Sequence, residues 1–320
     1  MDQIRQIEEH PVPVEEHPAA PHETHRKHHV KESRGDRIYY AIVYTILTLL
    51  ALIVVYPLYF VIIASFSSAD AVLAGRVYLF PVDIDFTGYI RCFERTDIWI
   101  GYGNTIWYTA AYTVLSVVFT VTAAWALSRK TLPFRKFWMI FFTITMFFGG
   151  GLIPFYKVVS DLGMLDNPLS IILPGTVSAW NLFMAKTFFQ SGISDSIIEA
   201  AELDGANRLR LFVSIILPLS MPIVAVLSLY YAVGQWNSYF NAMIFLQDEN
   251  LYPLQLVLKE ILTASESTTG GSGETILEQF RLANQLKYVT VIISSLPVFC
   301  LYPFVQKFFA QGVMVGSLKD

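Results

Sequence analysis

Residues Asp195–Pro222 read DSIIEAAELDGANRLRLFVSIILPLSMP. This charged, helix-forming stretch lies between two uncharged apolar segments. A loop between apolar segments has no need of so regular a pattern unless something docks on it. Ser194 or Asp195 can cap a helix. Ile197, Ile198 and Ala201, then Glu202 and Leu203, carry that helix through roughly two and a half turns. Ala200 and Ala201 are small, so a partner surface can approach closely. Gly205 is a natural place for positive φ, ending one helix and starting another. Asp204 can cap the second helix, where Leu209, Phe212, Val213 and Ile216 give an apolar stripe at helical spacing. Pro218 then breaks or kinks the chain as the next apolar segment begins. The reading is a helix–turn–helix elbow joined rigidly to a membrane helix, with Glu199 as its central charge. Force on the elbow would move that helix.

The whole chain agrees with a membrane setting. Of its 320 residues 54% are hydrophobic and 15% charged, against roughly 25% charged in soluble domains. A net charge of −4 gives no argument for nucleic acid. Cys92 and Cys300 form neither a disulfide framework nor a metal spacing. All six histidines precede Val30, so a histidine base or proton relay within the membrane is excluded. Residues 1–37 are rich in Glu, His and Pro and read as a disordered, solvated tail.

Six stretches free of Asp, Glu, Lys and Arg reach or approach the length of about 20 residues that a spanning helix needs. They are Ile38–Ala69, Ile98–Ser128, Phe137–Tyr156, Asn167–Ala185, Leu211–Gln247 and Tyr288–Gln306. The fifth can hold a span plus an interfacial turn. The first is too long for the apolar region of a cleaved signal, which runs about 7–15 residues. With six spans both termini share one side. That side carries fifteen Lys and Arg against seven on the other, which marks it as cytoplasmic. Arg129, Lys130, Arg135 and Lys136 are the clearest markers. The elbow, in about residues 190–220, then faces the cytoplasm. The fifth loop carries the flexible run SESTTGGSG (Ser265–Gly273). Around it Leu251–Leu262 and Glu274–Leu286 look like short amphipathic helices at the outer surface. Gly149-Gly150-Gly151 followed by Pro154 marks a kink or helix end at the outer boundary.

The spacing Glu199-Ala200-Ala201, three residues, Gly205, nine residues, Ile215, one residue, Leu217-Pro218 resembles the EAA loop of ABC-importer permeases. Phe147–Gly175, Tyr230–Leu256 and Phe304–Asp320 are similar to segments of carbohydrate-importer permeases of the oligosaccharide and polysaccharide-fragment group. The resemblance covers about Tyr39 to the end. It implies an all-α integral membrane fold, with residues 38–320 forming six transmembrane helices and a cytoplasmic coupling loop. It implies that Glu199, Ala200, Ala201, Asp204, Gly205, Ile215, Leu217 and Pro218 form the knob that fits a separate ATPase, Glu199 meeting a basic residue there. It also implies that Gly312–Lys319 can reach into the ATPase pair. The partners implied are that ATPase pair, a homologous and non-identical second permease, an extracytoplasmic solute-binding protein and an oligosaccharide. ATP and Mg belong to the ATPase, so this chain binds no cofactor and is not itself an enzyme. The location implied is the cytoplasmic membrane of a prokaryote.

Mid-membrane charges mark ion and proton pathways, and these spans have none. Their polar groups are neutral: Asn104, Asn181, Gln235, Asn237, Ser238 and Asn241. Trp107, Trp180, Tyr230, Tyr231, Trp236 and Tyr239 accompany them. Amides and aromatic faces suit the hydroxyl rim and C–H face of a sugar. Tyr230, Gly234, Asn237 and Asn241 fall on one helical face and are the candidate lining of the solute path. The competing reading is that these groups pack between helices or sit in an interfacial belt. The lack of spanning Lys or Arg leans toward neutral cargo, and an acidic uronate oligomer stays open. A self-powered ATPase is excluded, because no GxxxxGK[ST] loop occurs. An ion-coupled secondary transporter is the alternative, and it lacks intramembrane ionisable groups. A membrane enzyme lacks histidine, convergent carboxylates and metal ligands in the spans.

Overall fold

The structure is a computed structural model that describes residues 33–267, 281 and 283–300. The histidine-rich segment, residues 268–280 of the fifth loop and Gly312–Lys319 lie outside the described residues. The chain divides into two compact units, Met1–Val54 and Val55–Asp320.

In the first unit, helix α1 (Arg34–Ser65) opens on a reciprocal cap. The Gly35 N–H donates to Ser33 Oγ (3.2 Å) and the Ser33 N–H donates to Asp36 Oδ2 (3.1 Å). Two backbone donors of the first turn are thus satisfied locally. Arg34–Arg37, expected in the tail, are therefore helical. Beyond them the side chains up to Val54 are mostly apolar and almost all exposed.

The second unit holds α2 (Ala69–Leu73), α3 (Thr87–Glu94), α4 (Thr96–Ser128), α5 (Arg135–Phe147), α6 (Leu152–Asp161), α7 (Leu169–Ile172) and α8 (Ala179–Gly192). There follow α9 (Asp195–Leu203), α10 (Arg208–Arg210), a π-helical turn (Leu211–Ile216), α11 (Leu217–Leu219), α12 (Met221–Trp236), α13 (Phe240–Phe245) and α14 (Leu254–Ser267). Residues 283–300 are helical as well. Among the described residues there is no strand, only the isolated bridge Ser67–Ile84.

Helix α4 is the organiser: α8, α12 and α14 all pack on it. Val121, Ala124 and Leu127 of α4 meet Leu182, Ala185 and Phe189 of α8 and Ile223, Leu227 and Tyr231 of α12 in one buried cluster. The fully buried Ala124 and Ala185 allow the close backbone approach that holds helices together where lipid removes the hydrophobic drive. The hydroxyls of Thr120 and Tyr231 are 2.7 Å apart within this cluster, and the Ser178 N–H donates to the Tyr231 oxygen.

At the other end of α4, Gly101 makes a notch for α14. A Cβ there would lie 3.0 Å from Leu254 Cα. The Leu254 N–H donates to Thr105 Oγ1 (2.8 Å), and the Asn104 amide donates to the carbonyls of Asn250 and Tyr252. Leu254, Leu256, Val257, Leu258 and Ile261 are all buried. The segment Leu251–Leu262, expected as an amphipathic helix, is helical from Leu254 and buries its apolar face on α4. Its apolar residues at helical spacing fit the small-residue notch of α4. Ser265–Ser267, expected in a flexible run, belong to the last turn of α14.

Helices α1 and α4 are each long and apolar enough to cross a membrane. Two bent pairs pass the same test together: α5 with α6, at 115°, and Arg208–Leu219 with α12, at 78°. The first bend lies at the glycine run expected to end or kink a helix. Gly151 sits at φ +81°, a conformation open to glycine, and Pro154 falls in the first turn of α6. There its missing N–H has no intrahelical partner to lose.

Candidate functional site

Ser194 caps α9: its Oγ accepts from the Ser196 N–H at 3.2 Å. The helix ends in a Schellman motif. The Ala206 N–H donates to Ala201 O and the Gly205 N–H to Glu202 O, both at 3.0 Å, with Gly205 at φ +77°. Gly205 thus has the positive φ that the sequence assigned to it. Asp204 does not cap the second helix. It is the C-cap of the first, following Leu203 and donating its N–H to Ala200 O. The cap is Asn207, whose Oδ1 accepts from the Arg210 N–H at 2.8 Å. The Schellman bonds consume Gly205 and Ala206, so the next helix cannot open before Asn207.

The second helix is not α-helical throughout. It widens to a π turn at Leu211–Ile216 before Pro218. In α geometry the proline ring would crowd the Ser214 carbonyl, and the wider turn relieves that. Leu211 and Ile216 are buried and Phe212 is half-buried against the main cluster, while Leu209 and Val213 of the expected stripe are exposed. Ile215 and Leu217 pack against the main cluster, and Pro218 is exposed. The 78° bend falls at Ser220, two residues after Pro218.

Ala201 is 6% exposed and belongs to the cluster of α4, α8 and α12. It therefore fastens α9 to its own chain. Its small side chain lets α9 lie on the π turn. Ala200 and Glu199 are exposed on the other side. At the tip two large apolar side chains stand in solvent: Leu203 is 89% and Leu209 73% exposed. Glu199, Glu202 and Asp195 line one wall of a cleft of about 340 Å³. Ser128, Arg129, Lys130 and Thr131, just beyond α4, line the other. Arg129 lies 3.5 Å from Asp195, and burial holds its guanidinium below its ordinary pKa while Asp195 pulls it up. Arg135 Nε donates to Leu127 O (2.9 Å) and Gln190 Nε2 to Ser128 O (3.4 Å), satisfying carbonyls at the C-terminus of α4.

Tyr230, Gly234 and Asn237 are exposed, and Asn241 is half-buried. They do not form one helix face, because α12 ends at Trp236 and Asn241 sits on α13. The Asn237 amide donates to Val233 O, its own helix. Of the other polar groups Asn104 is a clamp on the segment before α14, and the buried Trp236 donates to Ser294 O.

No family model matches the chain. The polygalacturonan/rhamnogalacturonan transport system permease protein YtcP of Bacillus subtilis is 36% identical over 289 residues, 89% of this chain and 99% of that protein. The chain belongs to the ABC-importer permease family. Protein LplC of the same organism is 33% identical across 83% of the permease and 90% of its own length. A crystal structure of a bacterial ABC transporter involved in the import of the acidic polysaccharide alginate contains a chain 36% identical to it. That chain matches with TM-score 0.78, over 87% of the permease and 99% of its own length. The permease is therefore an all-helical integral membrane protein of an ABC import system, and the ion-coupled alternative falls.

Three residues at the permease's elbow carry roles that the sequence alone does not announce: Trp125 and Arg129, at the end of α4 against the elbow, and Leu203 at its tip. The i, i+4 spacing of Trp125 and Arg129 was the available signal.

Proposed function

We propose that this permease is half of the membrane pathway of an ATP-driven importer, energised through the elbow at Asp195–Pro218. A separate ATPase pair holds ATP and Mg, and this chain holds neither. Glu199, Ala200, Asp204 and Gly205 face the ATPase, with Leu203 and Leu209 as the apolar anchors. Ala201, Ile215 and Leu217 hold the elbow to the bundle, and Pro218 precedes the bend into α12. The observation that carries this reading is the split of one short helix. Ala201 is buried in the bundle while Leu203, two residues on, is almost fully exposed. Apolar side chains of that size in solvent mark a site of interaction.

The six spans of the proposed topology are α1, α4, α5–α6, α7–α8, Arg208–Trp236 and the helix over 283–300. Both termini and the elbow face the cytoplasm of a prokaryotic cell. A homologous, non-identical second permease completes the pathway, and an extracytoplasmic binding protein delivers the solute. When the ATPase pair closes on ATP it displaces both elbows, and the spans rock to open inward.

The cargo we propose is a fragment of an acidic polysaccharide. Support comes from the 36%-identical relatives, whose names carry polygalacturonan/rhamnogalacturonan and alginate. The melibiose/raffinose/stachyose permease MelC of Bacillus subtilis is 28% identical. Tyr230, Gly234, Asn237 and Asn241 remain the proposed lining of the path. Glu199→Lys tests the function: the complex should insert in the membrane but lose transport-coupled ATP hydrolysis. Normal uptake of uronate oligomers by that variant would refute the docking role. Stimulation of hydrolysis by neutral but not uronate oligomers would refute the cargo.

A further inference from the structure

Arg129 follows the last residue of α4. Its guanidinium lies over the Trp125 ring, 4.2 Å from the centroid, and its Nε donates to Ser128 Oγ at 3.1 Å. Its other edge meets Asp195, the first residue of α9. The Trp125 ring sets an edge-to-face contact on Phe189 of α8 at 5.6 Å and a tilted contact on Phe212 of the π turn at 6.2 Å. Trp125 of α4 and Arg129 just beyond it thus touch α8, the π turn and α9 together. Asp195 is mostly exposed, so the ion pair adds little to stability. What it fixes is position. A planar fork that stacks on one side and pairs on its edge is available to arginine and not to lysine.

We propose that Arg129 is a positioning residue for coupling, hitching α9 to α4 beside the direct chain connection through Pro218 into α12. Displacement of α9 then moves two helices of the bundle as one. Helix α4 carries α8, α12 and α14 with it, because all three pack on it. This inference rests on the docking role proposed for the elbow.

The test uses the full transporter in vesicles and reads solute moved per ATP hydrolysed. Arg129→Ala, which removes both the ion pair and the cation–π contact, should lower that ratio about fivefold, and Asp195→Asn, which removes the ion pair alone, about twofold. The ATPase pair should still co-purify with both variants. Arg129→Lys should fall between parent and Arg129→Ala. Exchanging the charges, Arg129→Asp with Asp195→Arg, should recover part of what either charge reversal alone loses. Parental ratios in Asp195→Asn would overturn the proposal, as would a double exchange no better than the single reversals. If Arg129→Ala does not assemble, Asp195→Asn decides alone, since its side chain is exposed. The docking role fails separately, if Glu199→Lys couples normally.

Discussion

Gly205 separates backbone strain from crowding. It sits at φ +77°, and a Cβ built there meets nothing within 4 Å. Any loss on substitution therefore comes from φ alone. A left-handed backbone costs an L-residue roughly 1–2 kcal/mol, and a β-branched side chain lies at or beyond the upper end. The two bonds at stake are Ala206 N–H to Ala201 O and Gly205 N–H to Glu202 O. Strain of this size should raise their opening about fivefold in Gly205→Ala and roughly thirtyfold in Gly205→Val. Gly205→Asn should open less than Gly205→Ala, because asparagine tolerates this region better. Hydrogen exchange of residues 200–207, measured on the purified permease pair without ATPase, reads the opening directly. Coupled hydrolysis in the full complex should fall in the same order. Equal exchange in the Ala and Val variants would refute the reasoning, since ordinary backbone angles would then suffice at the turn.

Gly101 makes the opposite case: its neighbours, not its φ, forbid a side chain. A Cβ would lie 3.0 Å from Leu254 Cα and 3.2 Å from its nitrogen, so Gly101→Ala should cost about 1–3 kcal/mol as overpacking. Thermal inactivation of the purified protein should shift down, with Gly101→Val worse still. Asp166 accepts the N–H groups of Asp248 and Gln247, which lower its carboxyl pKa in that order. Its contribution is present above the ordinary carboxylate value of about 3.9 and is lost as pH falls through the lower folded value. Asp166→Asn keeps an acceptor and tolerates the positive φ of 53°, so its thermal inactivation should be less acid-sensitive below about pH 4 than the parent's. An unchanged acid limb would contradict the assignment.

The apolar stretches and the motif spacing were open to sequence reasoning because both depend on local composition. The positive φ of Gly205 and the break at Gly149–Gly151 were legible for the same reason: glycine runs and spacings report backbone demands. Tertiary facts were not. Ala201 has the size of a docking residue and of a packing residue, and its packing on the cluster around α4 is visible only in three dimensions. The cap moved from Asp204 to Asn207 because the Schellman bonds take two further residues, which no single residue type announces. Of the expected stripe Phe212 and Ile216 pack inward while Leu209 and Val213 do not, and Leu211 and Ile215 complete the inward face, a choice between neighbouring apolar residues that only the cluster they meet decides. Burial of α14 was hidden because the notch that receives it, Gly101 and Thr105, lies about 150 residues earlier in the chain.

The central claim is that the tip of the elbow docks on the ATPase while its base is held by the bundle. Single cysteines at Leu203 and Ala201, introduced after Cys300 is replaced, test it by crosslinking in the assembled transporter. The account predicts that Leu203→Cys links to the ATPase subunit and Ala201→Cys does not. Labelling of Leu203→Cys from outside the cell, or crosslinking at Ala201 without any at Leu203, would contradict it.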